Sequence, residues 1–446
     1  MSLAATTART RAAVLDLPPE IVCVCLELTV APDEEYDTTR PPWPLAHICR
    51  AWRAIAIDCA ALWCSIALDV GLPANCDPHG GRLARLTTQL ARTKASALRI
   101  QLCHGVDSSD ATHAQDLCLP LILATSSRWT SLRFAYLKEN NLRALRPLLE
   151  DKASLYRLKR VELFGRPQLS TYFDALLTAN RLPSLRRAIL FQGGFDDWSG
   201  PVDLPWAQLT HVRAAFHVSD ALELFPRWSA LRVLVLAAWG DQLPATTAEF
   251  ILFPNLTHLG VEKLHGLACI SAPALTSLAL WAGEADRLFD ADALQLTRAF
   301  LARSKCTLGK LTIYNSDLQD GPALVEFLRD VGARLHTLVV VSAIDVDDLT
   351  TVPLLESLRP GSSAQLLCPR LRVLSLGSTA EIRAVLLDVL RERMQVEGTV
   401  KLEKFRLLRA NDATLVLIVE GELHGLDVKI EEMDDSWMQR EIWGDF

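Results

Sequence analysis

Several common functional signatures are missing from this sequence. No apolar run approaches the roughly 18–20 residues that cross a bilayer, which speaks against a helical membrane anchor. There is no G-x-x-x-x-G-K-[ST], no G-x-G-x-x-G behind a strand and no G-x-S-x-G. The usual phosphate cradle, dinucleotide turn and nucleophile elbow are therefore lacking. Cys23-Val24-Cys25 is not a C-x-x-C pair, and no second Cys or His pair stands at zinc spacing. No dense basic patch of the kind that binds nucleic acid is present, and there is no signal-peptide apolar core. The eleven cysteines are odd in number and scattered through apolar contexts, as buried thiols of a reducing compartment would be. These absences argue for a protein with no catalytic residues, no metal and no cofactor. Asp345, Asp347 and Asp348 read as a solvated loop. His104 and His113, with Asp107 and Asp110, read as a surface loop.

What remains is a chain of 446 residues, half of them hydrophobic and 22% charged, a composition that folds. Its net charge of −7 is uneven. Residues 1–70 carry −4 and residues 411–446 carry −8, which leaves +5 for residues 71–410. A mildly basic body suits an acidic or phosphorylated partner. Met1 to Ala13 holds Arg9 and Arg11 without an acidic residue. It reads as a flexible tail rather than a piece of a transit peptide.

Two segments near the N-terminus carry the sharpest signal. Leu17-Pro18-Pro19-Glu20-Ile21 opens an apolar run in which Ile21, Val22, Cys25, Leu26 and Leu28 recur near helical spacing. Prolines suit a first helical turn, where φ is preset and the missing N–H has no intrahelical use. Ile48-Cys49-Arg50-Ala51-Trp52-Arg53 follows, then Leu62-Trp63 and Ile66-Ala67-Leu68. With Trp43 and Ile55, this is more apolar area than so short a stretch can bury alone. The ordered set resembles the F-box, which reads Leu-Pro-x-Glu-Ile/Leu, a spacer, Val-Cys-Arg-x-Trp, then Leu-Trp and a short apolar strand. Ile48 stands in the Val place, and the match runs from about Val14 to Leu68. The spacer, Thr29 to Pro44, is long and acidic and departs from the family pattern. The resemblance implies docking onto the Skp-type adaptor of a cullin ubiquitin ligase through Leu17, Pro18, Ile21, Cys49, Trp52, Leu62 and Trp63, some of which would instead hold the helices together. In style it is most similar to the divergent F-box sets of mushroom-forming fungi.

From Leu98 onward a pattern close to L-x-x-L-x-L returns. Leu231 to Leu236, Leu275 to Leu280 and Leu371 to Leu376 are clear copies. Others start at Leu256, Leu308 and Leu335, and looser ones at Leu98, Trp129, Leu158, Leu185, Leu209 and Leu402. The starts lie about 20 to 35 residues apart, and the array resembles leucine-rich repeats. Strand alternation in the second half of each copy sends leucines into the core and the intervening residues outward. Stretches such as Tyr172 to Asn180 and Ala323 to Val331 read as helices between strands. No unit can bury its apolar face alone, so units must stack. The family's asparagine ladder after the strand is missing, which predicts turns satisfied differently in each copy.

The expected fold is α/β. A three-helix F-box occupies residues 14–70 after a flexible 1–13. An irregular leucine-rich solenoid covers 71–410, with parallel strands inside and helices or loops outside. A hairpin of Thr414–Val419 and Leu426–Ile430, with an acidic tail, caps it over 411–446. Four copies place an aromatic at their seventh residue: Phe164, Phe191, Trp281 and Tyr314. Three carry a cation at their third: Arg160, Arg187 and Lys310. On an outward sheet face these would anchor a protein client. The F-box resemblance then implies a non-catalytic, intracellular client-recognition subunit of a Skp–cullin–F-box ubiquitin ligase in cytoplasm or nucleus. The alternative is a scaffold unconnected with ubiquitination.

Overall fold

The structure is a computed structural model. It describes residues 17–29, 42–70, 81–104, 118–137, 145–150, 155–165, 176–178, 180–192, 204–215, 224–236, 250–262, 264–281, 291–315, 321–342, 351–360, 366–377, 383–395, 400–408 and 426–431. The chain forms two compact units, Met1–Pro205 and Trp206–Phe446. Their boundary falls inside the stretch expected to be one solenoid. The class is α/β, with parallel strands laid down in chain order.

The first unit begins with helices α1 (Pro19–Thr29) and α2 (Arg50–Asp58), and short 3-10 turns at Pro44–His47 and Ala60–Trp63. Strands β1 (Ser65–Asp69), β2 (Leu98–Cys103), β3 (Trp129–Ala135), β4 (Arg160–Gly165) and β5 (Arg187–Gln192) then pair in parallel, each with the next. Helices α3 (Gly81–Arg92), α4 (Cys118–Leu123) and α5 (Arg146–Glu150) lie between them in sequence. The strand that ends the F-box-like motif, β1, is thus the first strand of the ladder.

The second unit continues in the same manner. Strands β6 (His211–Ala214) and β7 (Val233–Leu236) precede a small parallel pair, β8 (Ile251–Leu252) and β10 (Ile270–Ser271). The main ladder proceeds through β9 (His258–Val261), β11 (Ser277–Trp281), β12 (Lys310–Asn315), β13 (Thr337–Ser342), β14 (Val373–Gly377), β15 (Lys404–Leu408) and β16 (Asp427–Glu431). Every copy read from the sequence contributes a strand. Helices α6 (Ala291–Ser304), α7 (Gly321–Val331), α8 (Thr351–Leu358) and α9 (Arg383–Gln395) separate the later strands. Before β7 and β9, aromatic side chains stack in the described parts of the connections. Trp206 and Trp228 have ring centroids 5.5 Å apart, and Phe225 meets Trp228 at 5.1 Å and Phe253 at 5.4 Å.

Core leucines stand in register across each ladder. In the second unit one row reads Val212, Leu234, Leu259, Leu278, Leu311, Leu338, Leu374, Phe405 and Val428, all buried. A register slip of one residue would turn every member of this row outward.

The strand starts follow one pattern. In most copies the backbone N–H of the first leucine donates to the carbonyl three residues earlier, as from Leu185 to Leu182 O and from Leu371 to Cys368 O. In eight copies the carbonyl after the first leucine then accepts two N–H groups from the following copy. Thr257 O takes Thr276 N at 2.9 Å and Ser277 N at 3.0 Å, and Gly309 O takes His336 N at 2.9 Å and Thr337 N at 3.1 Å. Lys159, Thr210, Arg232, Thr276, His336 and Arg372 repeat the arrangement. The turns after the strands lie largely outside the described residues.

Arginine side chains satisfy backbone carbonyls of the preceding coil. Arg128 donates to Ser96 O at 2.9 Å, Arg181 to Leu148 O at 2.6 Å, and Arg303 to Leu267 O at 2.6 Å and Ile270 O at 3.0 Å. Buried Arg393 binds Leu358 O at 2.8 Å and Cys368 O at 3.3 Å, and also reaches Leu367 O. Burial lowers the Arg393 pKa and pushes the Cys368 thiol up to about 12. Cys368 has φ 50°, a conformation that costs an L-residue energy. The guanidinium holds that carbonyl in place.

The last strand, β16, is parallel to β15 and extends the ladder; the hairpin expected of it would need Thr414–Val419. That partner segment, residues 1–16, the acidic spacer 30–41 and Asp345–Asp348 lie outside the described residues. His104 is buried at the end of β2 and donates its backbone N–H to Ala135 O at 3.0 Å; it is not on a surface loop.

The ladder predicts two outcomes. Leu234→Ala should cost about 2–5 kcal/mol because it empties a filled core site, whereas Val233→Thr, on the opposite and partly exposed face, should cost less than about 1 kcal/mol. Denaturant titration of both variants checks this, and equal losses would mean a wrong register. Arg393→Ala should cost about 2–4 kcal/mol, since it strands buried carbonyls. The same titration reads it, and a loss under about 0.5 kcal/mol would assign those carbonyls another partner.

Candidate functional site

Two surfaces of the first unit hold sequence-selected residues. The first is the helical module built from α1, α2 and the two 3-10 turns. Pro18 O receives Ile21 N at 3.0 Å and Val22 N at 3.1 Å and so starts α1. Cys49 is the N-cap of α2, where its Sγ accepts from Trp52 N at 3.4 Å. The module core is Val22, Leu26, Leu45, Ala56, Leu62 and Trp63, with Trp43, Trp52, Ile55 and Cys59 packed against it. Trp43 meets Trp63 edge-on at 5.0 Å, and Trp63 donates its indole N–H to Ala56 O at 2.7 Å. Arg92 of α3 lies 4.2 Å from the centre of the Trp63 ring, a cation–π contact. Gln89 donates to Trp63 O and Ser65 O at 3.2 and 2.8 Å and joins the module to the first strand.

The seven motif residues therefore divide. Leu17, Pro18 and Ile21 are on the surface, Cys49 caps a helix, Trp52 is half-buried, and Leu62 and Trp63 are core. Leu62 and Trp63 cannot touch a partner directly. What the motif did not announce is a stripe of exposed apolar residues on α1, Ile21, Val24 and Leu28, the last 81% exposed, with exposed Leu17 just before the helix. The spacing of three and four residues within α1 puts its three members on one helical face. Ile48 and Ile57, also exposed, add to the module's apolar surface. The spacing was readable in the sequence, but it interleaves with the core pair Val22 and Leu26, so one broad apolar helix was legible rather than two faces.

The second surface is the outward face of the first unit's sheet. Register places Arg99, Ser131, Arg160 and Arg187 in one row, and Gln101, Arg133, Glu162 and Ile189 in the next. Glu162, 7% exposed, forms an ion pair with Arg160, 2.7 Å from its Nε, and faces Arg133 Nε at 3.8 Å. Arg133 lies 4.6 Å from the centre of the Phe164 ring. Phe164 is half-buried and stands opposite Phe191 in register; the Phe191 side chain lies outside the described residues. Arg99 and Arg133 were missed because neither occupies the copy position that singled out Arg160 and Arg187.

The corresponding residues of the second unit form something different. Trp281 is only 8% exposed and packs with Val235, Ala279, Val233 and Tyr314. Tyr314 also packs against Val339, Val341 and Leu408. Trp281 is therefore shielded rather than an exposed anchor, and Tyr314 is half-buried in the same cluster. Lys310 stands between Ser277 and Thr337 in its row, without neighbouring arginines.

Among the described residues no group of three His, Cys, Asp or Glu is placed to hold a metal ion. No described helix is long and apolar enough to cross a membrane.

No family model matches the chain, and no curated protein matches it. Among solved structures, it is similar to a Bacteroides fragilis protein determined by the Northeast Structural Genomics Consortium. The two share 14% identity over 68% of this chain and 74% of the other, with a TM-score of 0.35, too distant to carry an argument about function.

Proposed function

We propose that this protein is the client-recognition subunit of a Skp–cullin–F-box ubiquitin ligase. Its N-terminal module is an F-box that docks the adaptor, and its parallel ladder is a leucine-rich-repeat body that holds a protein client. The observation that carries the reading is the unpartnered apolar stripe of Leu17, Ile21, Val24 and Leu28 on the segment whose motif resembles the F-box. Large exposed apolar side chains grouped on one small module mark an interaction surface, and a helix that buries one face in its own module can offer the other to a partner. Such a subunit performs no chemistry. It raises the effective concentration of a bound client near a ubiquitin-charged enzyme, in the cytoplasm or nucleus.

The test is capture of a purified Skp-type adaptor by the full chain. Ile21→Asp combined with Leu28→Asp should weaken capture by about 30-fold or more, as loss of a hot spot of about 2 kcal/mol requires. Stability should move by less than about 0.5 kcal/mol, because both side chains already face water. Leu17→Ala with Pro18→Ala should also abolish capture. Trp63→Ala should lose capture by a different route, through about 3–5 kcal/mol of lost module stability. Wild-type capture by the Ile21→Asp, Leu28→Asp variant would overturn the F-box reading. Cullin recruitment with no client turnover would favour a scaffold instead.

A further inference from the structure

The two units present different chemistry on the same kind of sheet face. In the second unit buried Val235, Ala279, Val339 and Val341 occupy the middle of it, and its cations stand towards the ends, Arg213 on β6 and Lys404, Arg406 and Lys429 on β15 and β16, with Lys310 alone between. In the first unit the equivalent rows, from β2 to β5, carry Arg99, Arg133, Arg160 and Arg187, all half-buried, against the single carboxylate of Glu162. The first row of the second unit shows how unusual this is. It reads His211, Val233, His258, Ser277, Lys310, Thr337, Val373, Lys404 and Asp427, and its Lys404 lies 3.7 Å from Asp427.

Placement makes the arginine group more than a sum of charges. Arg160 and Arg187 are register partners on adjacent strands, so their backbones are about 4.8 Å apart. Arg133 is on the strand to the other side of Arg160, one outward row further along. Three guanidiniums thus rise from an area that one anionic group can span. Glu162 fixes two of them, through its 2.7 Å contact with Arg160 and its 3.8 Å approach to Arg133, and Phe164 supports the Arg133 guanidinium with its ring. Guanidiniums already held in place lose less freedom when they bind an anion, and their planar fork matches carboxylate and phosphate oxygens. The fixed strands leave the positive charge pointing away from the core.

We infer that this face of the first unit binds an anionic peptide segment of the client, through phosphate or clustered carboxylate side chains. Charge complementarity selects this occupant: four arginines facing one carboxylate repel a basic segment and leave an uncharged one without compensation for the arginines it covers. The inference deepens the proposed client-binding role and rests on it. It assigns recognition to the first unit and removes Trp281 from the contact surface.

The experiment uses the full chain immobilised at about 0.15 M salt, a concentration at which distant charges are screened and only close contacts persist. Three degenerate peptide libraries are applied, with a central phosphoserine, a central Glu-Glu pair or a central Ser-Ser pair. Either anionic library should be retained at least about tenfold over the neutral one, and the preferred one identifies the source of the charge. Arg187→Glu and Arg99→Glu should each remove that preference, while Lys310→Glu in the second unit should leave it intact. Equal retention of all three libraries, or a preference that survives Arg187→Glu in a folded protein, overturns the inference. Adaptor capture is read on the same variants. Loss of anion preference with normal capture bears on this face alone, whereas failed adaptor capture by the wild-type chain bears on the proposed function. Circular dichroism and unfolding midpoints establish that each charge-reversed variant is folded.

Discussion

Within each unit, most copies of the ladder are fastened to the next by one carbonyl. The residue after the first leucine presents its oxygen to two successive N–H groups of the following strand start, and the same bond pair recurs from Lys159 to Arg372. This is a backbone interaction, so it tolerates Lys, Thr, Arg, Gly and His at the position. It sets the axial offset between neighbouring strands before any side chain is considered. With the offset fixed, the leucines of successive copies fall into rows, and burial of those rows supplies most of the stabilisation. A buried polar backbone group must find a partner, and a two-donor arrangement settles the matter in these eight copies. Helix length and coil length can then vary without disturbing the strands.

Variation on the other side of the core follows from that freedom. Trp206, Phe225, Trp228 and Phe253 stack ahead of β7 and β9, and helices α6 to α9 separate the later strands. Ion pairs between consecutive helices add little each, as expected of exposed pairs: Arg298 meets Asp330 at 2.7 Å, and Arg359 meets Glu392 at 3.0 Å. The arginines that reach carbonyls of the preceding coil matter more, because there the alternative is an unsatisfied buried oxygen. Arg393 is the extreme case, paired with the left-handed Cys368.

Function separates along similar lines. The helical module places its large tryptophans in or against its own core and leaves smaller aliphatic residues outside, so its exposed apolar face and its folding depend on different side chains. On the sheet, the arginines of the first unit gather around Glu162, whereas valines and Ala279 occupy the middle of the second unit's outward rows. The client surface proposed for the first unit lies in the unit that also contains the module proposed to hold the adaptor.

By itself, the sequence determined the α/β class, the order of the strands and the position of every copy from Leu98 to Leu402, because leucine spacing and strand alternation are local properties. It also marked the helical module, whose prolines, cysteine cap and tryptophans act within a few residues of one another. Only the tertiary structure decided which face each apolar residue took. Leu28 and Leu26 are indistinguishable by composition, yet one is in water and the other in the core, since the choice depends on where Trp63 and α2 lie. Trp281 and Phe164 share a copy position, but their surroundings come from neighbouring strands about 4.8 Å away and well removed in sequence. The parallel course of β16 was likewise hidden, because a strand's own residues do not state the direction of its partner. Arg99 and Arg133 joined Arg160 and Arg187 for the same reason: register across strands, not spacing along the chain, brings them to one face.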